Sequence, residues 1–127
     1  MDTKKMARKI REDLLSLGDE ALRSSTARFF REEIKCHGIR SAPVRKYGTM
    51  IAKETSGQSK EKVFELCELL WRGGYLEETF IACRLTESRA KEFEKADIGL
   101  FQHWVGSWVT NWASCDTFCN HSVAMLL

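Results

Sequence analysis

Apolar residues recur every three or four positions along most of the chain, which is the spacing of one face of an α-helix. The first such stretch covers residues 3–17, and Gly18 follows it at the position of a C-cap. Asp19 is a predicted N-cap for a second helix that runs to about Cys36. The apolar positions of the first stretch are Met6, Ile10, Leu14 and Leu17.

The same spacing continues beyond the connector that follows Cys36. Ser41 and Pro43 mark the start of a helix that should end near Lys53, because proline is tolerated in a first turn. Its apolar positions are Val44, Tyr47, Met50 and Ile51. Ser59 caps the next helix, which the pair Gly73-Gly74 breaks. Further helix is predicted at residues 76–86, at 89–109 with a break near Asp97-Ile98-Gly99, and at 112–127.

The predicted fold class is all-α, because no segment alternates with period two for long enough to predict a strand. Helix pairs near residues 19–54 and 59–86 suggest a repeat of roughly 30–45 residues, as in HEAT-like superhelices of antiparallel pairs. Residues 1–127 are one domain by size. The apolar end, Val123–Leu127, indicates the N-terminal part of a longer fold or a truncated product. It also suggests self-association or a partner at that helix.

Composition agrees with a globular protein, since 43% of residues are apolar and 30% charged. No apolar run approaches the ~20 residues of a membrane span, so no membrane contact is predicted. The N-terminus has no apolar signal region. Five cysteines, an odd count at scattered positions, argue against a disulfide framework and for reduced thiols. We therefore expect a cytoplasmic location.

Charge is uneven along the chain. Residues 1–62 hold 15 Lys/Arg and 9 Asp/Glu, whereas residues 63–127 hold 5 and 9. A basic first half is able to track a phosphate backbone, because nucleic-acid binding is driven by Lys and Arg that displace counterions. A solvated helical surface of mixed charge is the alternative, since acids are interleaved with the bases.

The cysteines give little evidence of a metal site or of thiol catalysis. Cys115 and Cys119 are four apart with His121 nearby, but a structural zinc site needs four ligands with paired spacings. No metal is therefore predicted. Adjacent Cys36 and His37 show no activating partner, which argues against thiol catalysis. No Gly-rich phosphate loop or other cofactor motif occurs, so no cofactor is expected.

Trp104, Trp108 and Trp112 recur every four residues, which for the first two favours a buried aromatic ridge. If residues 112–116 are helical, Trp112 and Asp116 lie on one face, one turn apart. Asp116 is the only acid between residues 98 and 127. A lone carboxylate among apolar residues is costly to bury unless it is paired or functional. From the residues alone, a site and a helix-start cap are equally good interpretations.

Four ordered stretches resemble the AlkD-type DNA alkylation repair proteins, which are DNA glycosylases built from HEAT-like repeats. The most specific match is the Trp-x-x-x-Asp motif of Trp112–Asp116. The resemblance covers nearly all of this chain and about half of a typical family member. The other matching stretches are Ala27–Phe30, Gly38–Arg45, and Leu70-Trp71 followed by Glu77–Phe80.

The resemblance implies hydrolysis of the N-glycosidic bond of N3- and N7-alkylated purines in duplex DNA. Asp116 would stabilise the oxocarbenium-like sugar and orient water, and Trp112 would pack against the deoxyribose. Phe29 would be a further aromatic in the cleft, without the hydroxyl that some members carry there. The family is thought to act without a flipped-base pocket. Candidate phosphate contacts are Arg40, Arg45 and Lys46.

An alternative of a different class remains open beside the enzyme. A helical-repeat module without catalytic activity would bind DNA or protein through the same surfaces. An inactive truncated family member is a third prediction, because a concave DNA surface needs several stacked repeats.

Overall fold

The structure is a computed structural model that describes residues 1–29 and 35–107, without the side chains of residues 25–29. Within these ranges no strand occurs, and an isolated bridge joins Lys35 to Tyr75. The all-α prediction is confirmed. The helices are α1 (Thr3–Leu17), α2 (Glu20–Phe29), α3 (Ser41–Glu54), α4 (Lys60–Gly73), α5 (Leu76–Glu87) and α6 (Asp97–Ser107), with a 3₁₀ turn at Ala90–Glu92.

Local capping sets several helix ends, as the sequence predicted. The Asp19 carboxylate accepts a hydrogen bond from the Leu22 backbone at 3.0 Å, and the Ser59 hydroxyl accepts one from the Lys62 backbone at 3.2 Å. Each bond satisfies an amide that a helix start leaves without an intrahelical partner. Gly74 ends α4 in the left-handed conformation, with φ of 76°.

Two predicted boundaries are wrong, and both depend on long-range contacts. The second helix does not reach Cys36, because the carbonyl of Lys35 accepts a hydrogen bond from the Leu76 amide at 2.8 Å and Lys35 pairs with the start of α5. The break predicted near Asp97-Ile98-Gly99 lies earlier. Asp97 begins α6, and its carboxylate accepts a hydrogen bond from the Lys60 ammonium, 37 residues away, at 3.1 Å.

The core lies where α4 and α5 pack against each other as a pair joined by a tight turn at Gly74-Tyr75. α1 packs on α4, and α3 packs on α5. Two residues predicted for apolar faces are instead exposed, Met50 at 43% and Leu17 at 49%. Fully buried side chains that form this core include Ile10, Leu14, Ile51, Leu66, Leu70, Trp71, Ile81 and Leu85.

An aromatic cluster attaches α6 to α4. The ring of Phe64 lies 5.8 Å from the rings of both Phe101 and Trp104, edge-on in each case. Edge-to-face pairs of this kind add about 0.5–1.5 kcal/mol beyond their buried area. Trp104 is fully buried, as the aromatic-ridge interpretation predicted, whereas Trp108 and the predicted helix at 112–127 lie outside the described residues.

Helices in the described ranges include none that is both long and apolar enough to cross a membrane.

Neighbouring leucines of α1 provide a test of this packing. Leu14 is fully buried and Leu15 is 60% exposed. We expect Leu14→Ala to lower the free energy of unfolding by about 2–5 kcal/mol, because it leaves a cavity in the core. Leu15→Ala should change it by less than about 0.5 kcal/mol. Urea denaturation of both variants measures the difference, and equal losses would contradict the placement of α1.

Candidate functional site

Three predicted phosphate-contact residues lie at the start of α3 and are all exposed. Arg40 is the N-cap residue, with extended backbone at φ −67° and ψ 157°, and its side chain does not cap the helix. Arg45 and Lys46 follow in the next turn. The ion pairs formed among the described residues involve none of these three side chains. Their positive charge is therefore available to an external anion.

The loop that leads into α3 is held by a buried carboxylate of α5. Glu77 is 3% exposed, and its oxygens accept hydrogen bonds from the amides of His37, Gly38 and Ile39 at 2.8, 3.2 and 3.4 Å. The position of Arg40, the next residue, is thus set by a side chain that is distant in sequence.

Gly38 is required by the shape of this loop. Its φ is +77°, a conformation that L side chains rarely adopt, and a Cβ there would lie 2.2 Å from the Asp19 carbonyl oxygen. The Asp19 amide donates a hydrogen bond to the Gly38 carbonyl at 2.8 Å. The loop therefore packs directly on the start of α2.

Glu78, the next residue of α5, joins the loop to α1. Its carboxylate lies 2.8 Å from His37 Nε2 and accepts two bonds from the Arg11 guanidinium, from Nε and Nη2, both at 3.1 Å. The His37 ring stacks on Tyr75 with ring centres 4.3 Å apart, and Arg11 lies 4.7 Å from the same ring centre. Loop, α1 and α5 are thereby joined in one network.

The ionisation of Glu78 follows from its partners. Burial alone would raise its pKa, but the hydrogen bonds from His37 and Arg11 outweigh burial and hold the pKa below its ordinary value. Glu78 is therefore a carboxylate at neutral pH. It pairs with Arg11 and holds its half-exposed guanidinium in place at the protein surface.

The side chains of the remaining predicted site residues fall outside the part of the chain that the structure describes. Trp112 and Asp116 lie outside the described residues, and Phe29 ends α2 with its side chain outside them as well. The buried pair Glu77-Glu78 was missed as a determinant of the site. Consecutive acids in the first turn of a helix usually indicate a solvated helix start, and the sequence signal that marked them was the family-like Glu77–Phe80 stretch.

The surroundings of Cys36 and His37 do not favour a nucleophilic role, and Cys36 is only 5% exposed. Burial, and then the charge of Glu77, raise the pKa of the Cys36 thiol, which disfavours the reactive thiolate. His37 is occupied by Glu78. Within residues 1–29 and 35–107, no group of three or more His, Cys, Asp or Glu side chains is placed to hold a metal ion. Cys115, Cys119 and His121 lie outside these ranges.

Comparison with known proteins identifies the family. A protein-family model described as "DNA alkylation repair enzyme" matches residues 10–127. The chain belongs to this family. The match includes the basic start of α3 and the Trp112–Asp116 motif of this DNA alkylation repair protein, and it gives DNA as the expected partner. Comparisons with curated proteins and with solved structures found no match.

The buried Glu78 carboxylate predicts a specific pH dependence of stability. Because its pKa is lower in the folded than in the unfolded chain, the stabilisation is complete above the ordinary value of 4.5 and is lost as pH falls through the folded value. Glu78→Gln should cost about 1.5–3 kcal/mol near neutral pH, since the half-exposed Arg11 guanidinium loses its charged hydrogen-bond acceptor. The cost should shrink in acid.

Urea denaturation from about pH 7 down to about pH 3 measures this difference. Glu61→Gln is the matched control, because Glu61 is an exposed acid in the first turn of α4. A Glu78→Gln deficit that stays constant over the whole pH range would show that the carboxylate charge is not what stabilises the network.

Proposed function

We propose that this DNA alkylation repair protein is a DNA glycosylase that hydrolyses the N-glycosidic bond of N3- and N7-alkylated purines in duplex DNA. The observation that carries the proposal is the family match over residues 10–127, which includes Trp112 and Asp116 at the spacing of the family-like motif. The exposed cations of α3 support it, because DNA affinity depends on Lys and Arg contacts to phosphates.

The proposed chemistry needs little from the protein beyond placement of charge. An N3- or N7-alkylated purine bears a positive charge, so it leaves with the electrons of the C1′–N bond and becomes neutral. Water adds to C1′ of the sugar and loses a proton. The Asp116 carboxylate would stabilise the positive charge that develops on the sugar and orient this water. The π face of Trp112 would attract the same charge.

Arg40, Arg45 and Lys46 would hold the DNA backbone during this reaction. Phosphate contacts fix the register of a protein on the duplex without reading its sequence. Arg40 is suited to this role, because the hydrogen bonds from the loop amides to Glu77 restrain the backbone that carries it. Phe29 would be a further aromatic contact.

Base release tests the catalytic part of the proposal. Wild-type protein incubated with methylated duplex DNA should release 7-methylguanine or 3-methyladenine, measured by chromatography. Asp116→Asn should reduce the rate by about 100-fold or more, because one electrostatic contact to the transition state is lost. Glu61→Gln, at an exposed acid of α4, is the control and should keep full activity.

Two results would contradict the proposed glycosylase mechanism. Equal release by wild type and Asp116→Asn would remove Asp116 from the mechanism. A wild type that releases no base but binds DNA with a steep salt dependence would be a non-catalytic DNA-binding module.

Charge removal on α3 tests the DNA contact separately. Arg45→Gln/Lys46→Gln should weaken binding to duplex DNA and reduce the slope of log affinity against log salt by about 0.9 for each lost phosphate contact. Lys91→Gln/Lys95→Gln removes the same charge from exposed positions between α5 and α6 and should leave the slope nearly unchanged. Fluorescence anisotropy over a salt series measures both variants, and identical slopes would exclude α3.

A further inference from the structure

A second basic surface lies in a groove between α1 and α4. The groove has a volume of about 410 Å³ and takes four cations, Lys4, Arg8, Arg11 and Arg72, and one carboxylate, Glu78, into its lining. Because Glu78 is 1% exposed and already paired, the charge that the groove presents to solvent is positive. We call this surface the α1–α4 groove.

The cations of α1 are arranged in a row. Lys4, Arg8 and Arg11 are spaced by four and three residues, so they share one face of the helix and span about 10 Å along its axis. Arg72, in the last turn of α4, lies on the other wall. A row of charges along a groove suits a linear polyanion better than a single small anion.

Arg11 is a fixed cation at the floor of the groove. Its Nε and Nη2 donate to Glu78, and no described group accepts a hydrogen bond from Nη1. Gly73 makes room for it, because a Cβ at Gly73 would lie 2.3 Å from Arg11 Nη2. Such an arrangement lowers the ordering cost of binding an anion, since the guanidinium is already held in place.

The groove holds further cations beside Arg11. In the described part of the chain, Lys4 and Arg8 are exposed and take part in no ion pair. Arg72 lies 3.8 Å from Glu68 with 57% of its side chain exposed, a geometry that contributes little. Lys35 adds a further positive charge at this edge, where its ammonium donates to the Gly73 carbonyl at 3.0 Å.

We propose that the α1–α4 groove binds the phosphates of a nucleic-acid backbone and is a contact for DNA in addition to the start of α3. The inference rests on the proposed function for its choice of DNA over another polyanion, because the family match makes DNA the expected partner. The groove and α3 then contact backbone at two separated places, which lengthens the footprint and steepens the salt dependence of binding.

Binding of undamaged duplex DNA by the full chain tests the groove. Lys4→Gln/Arg8→Gln keeps the Arg11–Glu78 pair and removes the two unpaired cations that α1 contributes to the groove. We expect the salt slope to fall by about 1.8, which is about 0.9 for each phosphate contact. Lys91→Gln/Lys95→Gln is again the matched control, with no expected change. Equal thermal unfolding midpoints of the variants confirm that the exposed substitutions leave the fold intact.

Several outcomes would contradict DNA binding by the α1–α4 groove. An unchanged slope in Lys4→Gln/Arg8→Gln would exclude it, and so would an equal loss in the control, which would show a general effect of net charge. Unaffected DNA binding with weakened binding of labelled polyglutamate would assign the groove to an acidic protein segment instead.

The proposed DNA contact at the groove and the proposed glycosylase activity are contradicted by different results. Base release by wild type with an unchanged slope in the groove variant would overturn the groove alone. A reduced slope without base release from methylated DNA would overturn the glycosylase alone. A wild type that binds no duplex DNA at any salt concentration would overturn both.

Discussion

Two consecutive carboxylates, Glu77 and Glu78, are buried in the first turn of α5 and hold three separate segments of the chain together. A buried charge is costly unless hydrogen bonds and an opposite charge compensate it. Glu77 meets this condition with three loop amides, and Glu78 meets it with His37 and the Arg11 guanidinium. The requirement for compensation links α1, the loop before α3, and α5 in a single arrangement.

The Glu77–Glu78 pair also positions cations that we propose bind DNA phosphates. Through the loop it places Arg40 at the start of α3, and through Arg11 it places a cation at the floor of the α1–α4 groove. A protein that presents many cations to a polyanion carries self-repulsion in its unbound state. Carboxylates buried behind the basic surfaces offset part of this repulsion without exposing negative charge to DNA.

Buried charged side chains also hold the start of α6 and the loop before α4 in place. The Lys60 ammonium lies 3.1 Å from the Asp97 carboxylate at the start of α6, and the Arg89 guanidinium donates to the Thr55 carbonyl at 2.7 Å. Burial would lower the pKa of Lys60, but the bond to Asp97 outweighs it and the pKa is raised. Together with the aromatic cluster around Phe64, these contacts fix the helix that precedes the Trp112–Asp116 segment.

The sequence by itself determined the local elements and the family. Helical spacing, the caps at Asp19 and Ser59 and the stop at Gly74 depend on contacts within about four residues, so they could be read directly. The exposed cations of α3 were named through the resemblance, which needs only order and residue type.

The tertiary structure decided which segments that are distant in sequence come into contact. The loop at Lys35, the exposure of Met50 and the start of α6 at Asp97 departed from the predicted pattern because packing overrode local preference. The Glu78 network and the α1–α4 groove could not be read from sequence. Glu78 binds partners 67 and 41 residues away, and periodicity carries no information about which distant charges a folded chain brings together.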